Sequence, residues 1–435
     1  MNKRVLIVTY YWPPSGGSGV QRWLKFVKYL TQAGWEPYVF TPENPSFTIQ
    51  DASLQKDIPA SVEVIRFPIW EPYQLFFKMA RLLGNKSPQQ ADFITTGRKS
   101  LLQKVSAWVR GNFFIPDARV FWVKPSVRYL IDFLERNKID KIITTGPPHS
   151  IHLIGLKLKR LNPTLYWFAD FRDPWSEWDL LDTLSLTWWA RRRHKKLEQT
   201  VLTLADEVIT IAPYHVQRFE ELSGRHVHLI TNGFDEDDFS GIVHCKTEKF
   251  TVRHIGIVDE LRDPKPFMVA VKTLCQEHGE IANKIVIEFI GKINSSFKYF
   301  VKADPVLAPI TRFVDHLPHD QLLKLYGATD LQLLVLAHTV IAPGNLPGKF
   351  FEYLASGNPI LAIGPVLGDA GRILKQSEAG SIREREDAHG IATDLFSYYS
   401  TWRNGEKVQS KGSALYSRKN LTNQLIHLLG EVKSN

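Results

Sequence analysis

The chain has 435 residues, 44% of them hydrophobic and 23% charged, the make-up of a globular protein long enough for two cores. Two cysteines, Cys245 and Cys275, are too few for a disulfide framework or a thiolate metal cluster. The formal net charge of +9 favours anionic partners: nucleotides, nucleic acid or an acidic membrane surface. The N-terminal MNKRVLIVTYYWPP has a short apolar run closed by Pro13-Pro14, unlike a signal-peptide core. No apolar run reaches the roughly 18 residues of a membrane span, so a cytoplasmic protein is expected.

In chain order, VLIVTY (5–10) reads as a strand, followed by a helix near 20–31. YVF, VEVIRF, KIITTG (141–146), LYWFAD (165–170), EVITIA (207–212) and VHLIT (227–231) read as further strands with helical stretches between most of them. A second series begins near Phe250 with FTVRHIGIV, KIVIEFIG, ITRFVD, LQLLVLA and PILAIG, and with helices at about 265–278, 319–327 and 347–356. Near-continuous apolar strands alternating with helices predict parallel sheets covered on both faces. The expected domains are 1–240, with a basic amphipathic insertion at about 70–115, and 250–405. A helical segment, 406–435, is expected to follow and to pack back on the first domain. In open α/β sheets ligands bind beyond the carboxyl ends of the strands, so chemistry is sought in the loops there.

The first such loop is WPPSGGSGVQRW. Gly16 and Gly17 allow close backbone approach, the next helix presents free N–H groups to a phosphate, and Arg22 sits on its first turn. A third glycine and an acidic residue after the second strand are missing, so this is not the dinucleotide fingerprint. Two middle loops come next. TTGPPHS places His149 at a strand end, where a neutral imidazole can donate or accept a proton. ADFRDPWSEW places Asp170, Arg172 and Asp173 directly beyond a strand, where charges are paired or bound to a ligand. A structural Asp-Arg ion pair is the plainer alternative.

In the second series, GIVDELRDPKP sets Gly256, Arg262 and Lys265 after its first strand, cations able to clamp a diphosphate. APGNLPGKFFEYLASGNPILAIGP (342–365) is the most informative segment. Asn345, Leu346, Pro347 and Gly348 form a turn that opens a helix, whose amides and Lys349 suit a phosphate. Glu352 follows on the same face, with two acceptor oxygens for a pair of ribose hydroxyls.

These segments resemble the donor-binding signature of retaining GT-B glycosyltransferases, in particular the large family 4. The likeness continues through the Gly-rich loop, NGFD (232–235), Gly256 with Arg262, FIG (289–291) and VDHLPHDQLLKLYGATDLQLLVL, nearly the whole chain. It implies an α/β GT-B fold, two Rossmann-like domains with parallel sheets facing a central cleft. It also implies retaining transfer from a nucleotide sugar, a UDP- or GDP-sugar, to a glycan or lipid-linked acceptor in cell-surface polysaccharide synthesis. By the same resemblance Arg262 and Lys265 bind the diphosphate and Glu352 the ribose. The loop Phe313–His316 contacts the base, with His316 as donor contact, and Gly16 and Gly17 approach the donor phosphates. Two positions depart from the family pattern. Gly344 stands where a second glutamate is common, and Arg172-Asp173 stands where a His-Asp pair is common.

The expected catalytic set is His149, Asp170, Arg172, Asp173, Arg262 and Lys349, without a metal, a cofactor or a nucleic-acid partner. Alternatives are a nucleotide-sugar epimerase of the same fold and an inactive binding protein. Finally, Arg66–Arg110 carries eight basic residues against two acidic ones. YQLFFKMARLL (73–83) and the stripe Leu101, Leu102, Val105, Trp108 and Val109 lie within or beside this stretch, which reads as a peripheral contact, 73–114, for the inner face of the plasma membrane.

Overall fold

The computed structural model describes residues 2–45, 50–71, 101–245, 247–406 and 413–431. The chain divides into two units, Met1–Thr231 with Thr422–Asn435, and Asn232–Leu421.

In the first unit the expected apolar runs form β1 (Arg4–Val8), β2 (Glu36–Pro42), β3 (Glu63–Phe67), β4 (Lys141–Gly146), β5 (Tyr166–Phe171), β6 (Glu207–Thr210) and β7 (His228–Leu229). They pair in parallel in the order β3-β2-β1-β4-β5-β6-β7. Every residue of β4 is buried, as expected of a central strand with both faces covered. Five tryptophans, Trp12, Trp23, Trp122, Trp167 and Trp175, are among the largest fully buried side chains.

The second unit holds β8 (Phe250–Ile255), β9 (Ile285–Ile290), β10 (Thr311–Val314), β11 (Leu331–Val335), β12 (Ile360–Ile363) and β13 (Gly380–Arg383). They too are parallel, in the order β10-β9-β8-β11-β12-β13. Both sheets thus repeat the doubly wound order of a dinucleotide-type fold, with β1/β4 and β8/β11 as the places where strand order reverses. The crevices past those strand ends are where such sheets bind ligands.

Most elements stand where the apolar pattern puts them: Ser18–Gln32, Lys265–Glu277, His319–Tyr326, Gly348–Ser356 and the terminal Arg418–Gly430 are the helices read near those places. The additional strand is β13. Its sequence GSIR has no run of apolar residues, and as the sheet edge it is only partly buried.

Of the amphipathic insertion, residues 72–100 lie outside the described residues. The helix Leu101–Phe113 is described, and its Val105 and Trp108 are exposed. Among the described residues no helix is long and apolar enough to cross a membrane.

Candidate functional site

In the first unit the loops past β1, β4 and β5 are tied together by two arginines. Arg22, in the second turn of Ser18–Gln32, is buried. Its Nη2 donates to Asp170 Oδ1 at 2.8 Å, its Nε to Oδ2 at 3.3 Å and its Nη1 to the Thr231 carbonyl at 2.8 Å. Trp23 Nε1 and Thr145 Oγ1 each donate to Asp170 Oδ2 at 2.8 Å. The ion pair at this place is therefore Asp170 with Arg22. Burial alone raises the Asp170 pKa, but the Arg22 charge and these four bonds outweigh it and hold the carboxyl below its ordinary value. With both oxygens engaged in the interior, Asp170 braces the loops.

Arg172, also buried, donates Nη1 to the Gly19 carbonyl at 2.9 Å, Nε to Gly146 at 3.2 Å and Nη2 to Pro147. One guanidinium thus clamps the Gly-rich loop to the loop after β4 through carbonyls. The half-buried Asp173 and the buried Asp170 are the carboxylates whose fields act on it. At the Gly-rich loop, Gly16 is half-buried and Gly17 exposed, and Gly17 heads the helix with no side-chain cap.

His149 stands just before the helix Ser150–Leu161 and is buried. Its ring lies parallel to Trp175, centroids 5.2 Å apart, and neither nitrogen has a hydrogen-bond partner among the described residues. Burial, with the fields of His152, Arg172 and His194, holds it neutral, well below the ordinary histidine pKa. Gly146 makes room for the His149 and His152 rings: a Cβ there would lie 2.6 Å from His152 Nε2 and 3.2 Å from His149 Nδ1. Behind Trp175 the helix Trp188–Leu204 supplies two supports. Glu198 Oε1 accepts from the Trp175 amide at 2.8 Å, and His194 Nδ1 accepts from Trp175 Nε1 at 3.0 Å.

In the second unit, Gly256 follows β8 with φ of 136°, a conformation suited to glycine, and a Cβ on it would come 2.8 Å from Lys349 Nζ. The lysine therefore lies directly on the β8 loop. Its Nζ is 3.4 Å from His254 Nε2. His254 Nδ1 is 3.0 Å from the Leu333 carbonyl, which requires the proton on Nδ1 and leaves the Nε2 lone pair for the lysine. Arg262, half-exposed, is held by Asp259: Nη1 to Oδ2 at 2.8 Å and its amide to Oδ1 at 2.8 Å. Lys265 turns elsewhere, its Nζ 3.5 Å from Asp263 and over the Phe300 ring. The cation whose field acts with Arg262 at the β8 loop is Lys349.

Gly348–Ser356 opens after Pro347 with no side-chain cap, leaving its first amides for a ligand. Asn345 and Gly348 are half-buried and Leu346 is buried. Glu352 Oε1 lies 3.2 Å from His319 Nε2, and Oε2 accepts from Tyr326 Oη at 2.9 Å. Both partners come from the helix His319–Tyr326, one at each end. His316, in the connection before it, is exposed. His319, Tyr326 and His254 are site neighbours that the motifs do not single out. His319 and Tyr326 are seven residues apart, a spacing that puts them on one helical face.

Desolvation and the Arg262 charge push Lys349 from 10.5 down to about 7, against a smaller raising effect of Asp259. Between those values the unfolded chain binds the extra proton, so this group's contribution to stability rises with pH. A diphosphate beside Nζ reverses the balance and favours the charged lysine. Binding a nucleoside diphosphate at about pH 8 is therefore expected to take up a fraction of a proton approaching one. Titration calorimetry in buffers of different ionisation enthalpy measures it. Lys349→Met should abolish the uptake; wild-type binding without proton uptake contradicts the placement.

No protein-family model matches the chain, and no curated protein matches its sequence. Solved structures match over its whole length. Sucrose-phosphate synthase from Thermosynechococcus elongatus is 14% identical with a TM-score of 0.64, covering 98% of each chain. A glycosyltransferase from Rickettsia africae ESF-5 is 12% identical with a TM-score of 0.63, again over 98% of each chain. An E. coli trehalose-6-phosphate protein bound with UDP-2-fluoro glucose is 11% identical with a TM-score of 0.60, over 99% of each chain. The likeness is one of fold: this chain has the two-domain, Rossmann-like GT-B fold.

Proposed function

We propose that this chain is a retaining, metal-independent glycosyltransferase. It moves a sugar from a UDP- or GDP-sugar to a glycan or lipid-linked acceptor in cell-surface polysaccharide synthesis. One observation carries the reading: past β8 and β11 the second unit sets Lys349 and Arg262 by an uncapped helix start, with Glu352 one turn further on. Two cations and free amides suit a diphosphate, and a carboxylate suits a ribose diol. The fold neighbour bound with UDP-2-fluoro glucose supports a nucleotide-sugar ligand.

In the reaction the bond from the sugar C1 to the diphosphate oxygen breaks and a bond from C1 to the acceptor oxygen forms. The acceptor proton passes to the departing diphosphate, so no protein nucleophile is needed and configuration is retained. Arg262, Lys349 and the Gly348 amide stabilise the charge that grows on the leaving group. In the first unit, Asp170 and the buried, neutral His149 are positioning residues for the loops that carry Arg172 and Asp173.

The cations above do the charge neutralisation a metal does elsewhere, so transfer should proceed at an undiminished rate in excess EDTA. The check is product formation from a matched donor and acceptor. Activity abolished by chelation and restored by magnesium or manganese overturns metal independence, while release of an epimerised sugar from donor alone favours the epimerase. Work on a lipid-linked acceptor places the protein on the inner face of the plasma membrane. The exposed Val105 and Trp108, beside the basic stretch ending at Arg110, support that placement.

A further inference from the structure

We propose that the first turns of the helix Trp188–Leu204 form an anchor that seats the first unit on an anionic lipid surface. This rests on the reading that the protein works at a membrane.

The helix reads WWARRRHKKLEQTVLTL. Its inner stripe, Ala190, His194, Glu198, Val201 and Leu202, is buried. Turning the helix by 3.6 residues per turn puts Trp189, Arg192 and Lys196 opposite that stripe, with Trp188 and Lys195 on the flank beside them. There Trp188 is 74% and Trp189 51% exposed, and Arg192, Lys195 and Lys196 are exposed as well. Two adjacent indoles left in water forgo the burial that their size favours. Tryptophan is instead at home where apolar and polar media meet, the headgroup region of a bilayer.

Charge decides between possible occupants. The only acidic side chain of the helix is Glu198, which is buried against Trp175 and Ser176. Arg191 pairs with Asp182, and Arg193 lies over the Trp189 ring. Arg192, Lys195 and Lys196 enter no ion pair among the described residues. A helix with tryptophans at its tip and unpaired cations along the same side fits an interface of apolar chains and anionic headgroups. A nucleic acid would call for aromatic rings lining a groove in which bases stack.

The turn is also rigidly placed. Thr187 caps the helix by accepting from the Ala190 amide at 3.3 Å. Asn112 Oδ1, at the end of Leu101–Phe113, accepts from the Thr187 amide at 2.8 Å and from its hydroxyl at 2.7 Å. The helix bearing exposed Val105, Trp108 and Phe113 is thus bonded directly to the start of the helix bearing Trp188 and Trp189.

The test is co-sedimentation of the full chain with phosphatidylcholine vesicles, with and without phosphatidylglycerol. Three proteins are compared: wild type, Trp188→Ser/Trp189→Ser, and Arg192→Gln/Lys195→Gln/Lys196→Gln. All the changed side chains are exposed, and far-ultraviolet circular dichroism checks the fold. Wild type should bind only the anionic vesicles. The tryptophan variant should lose about tenfold in partitioning and the charge variant about a hundredfold. Wild type that ignores anionic vesicles defeats the membrane reading and the anchor together. Wild type that binds while either variant binds as well as it does leaves the membrane reading standing and overturns the anchor.

Discussion

Replacing Glu352 or Arg262 by alanine is expected to weaken binding of a nucleoside diphosphate about ten- to a hundredfold, the loss of one charge-assisted hydrogen bond of about 1.5–3 kcal/mol. The two residues act on different parts of the ligand, so the losses differ in kind. Glu352 is largely buried and already accepts from Tyr326 and contacts His319. A carboxylate has further lone pairs for a ribose diol, and its present partners fix the direction in which they point. Glu352→Ala leaves the buried Tyr326 hydroxyl without its acceptor, and some loss of stability is expected with it. Glu352→Gln keeps an acceptor for Tyr326, so it separates ligand binding from folding. Arg262 is half-exposed and leans on Asp259, so its alanine variant should fold normally and lose affinity for pyrophosphate as much as for the whole nucleotide. Calorimetry on folded variants is the check, and unchanged affinity in both contradicts the donor site.

The largest effect on stability is expected at Asp170. Asp170→Ala removes the carboxylate that pairs with the buried Arg22, together with the acceptor for Trp23 and Thr145. Breaking a buried pair by deleting one partner costs about 3–5 kcal/mol, because the other charge stays buried and unpaired. Deleting both, as Arg22→Met/Asp170→Leu, should recover much of the loss. Chemical denaturation followed by tryptophan fluorescence reads this, since the buried tryptophans Trp12, Trp23, Trp122, Trp167 and Trp175 belong to this unit. Because the folded carboxyl is held below its ordinary pKa, its contribution is present above that value and is lost as pH falls through the folded one. A single variant within about 1 kcal/mol of wild type contradicts the bracing role.

The strands are legible in the sequence because a central parallel strand has to be apolar on both faces, and runs such as KIITTG and LQLLVLA can satisfy little else. β13 is not legible, because GSIR at a sheet edge carries no such demand. The loops of the candidate site are legible as places for the same topological reason. What each charged side chain binds is not. Arg22 reads only as a residue on the first turn of a helix, and its partner is Asp170, 148 residues further along the chain. Lys265 reads as a companion of Arg262 because both follow the first strand of the second unit. The fold sets Lys349, already legible as a phosphate cation, against the β8 loop and brings Lys265 Nζ within 3.5 Å of Asp263. Long-range pairing of polar groups leaves no periodic trace, whereas burial of apolar faces does.

The measurement that bears most directly on the central reading is the unfolding temperature in the presence of a panel of UDP- and GDP-sugars, taken on wild type and on Glu352→Gln/Lys349→Met. A ligand that binds only the folded chain raises the apparent stability by mass action. At least one nucleotide sugar should raise the midpoint of wild type, its parent nucleoside diphosphate should do so too, and the double variant should show neither shift. A wild type indifferent to every nucleotide sugar and nucleoside diphosphate, or a double variant that responds as wild type does, would contradict a donor site at Glu352, Lys349 and Arg262.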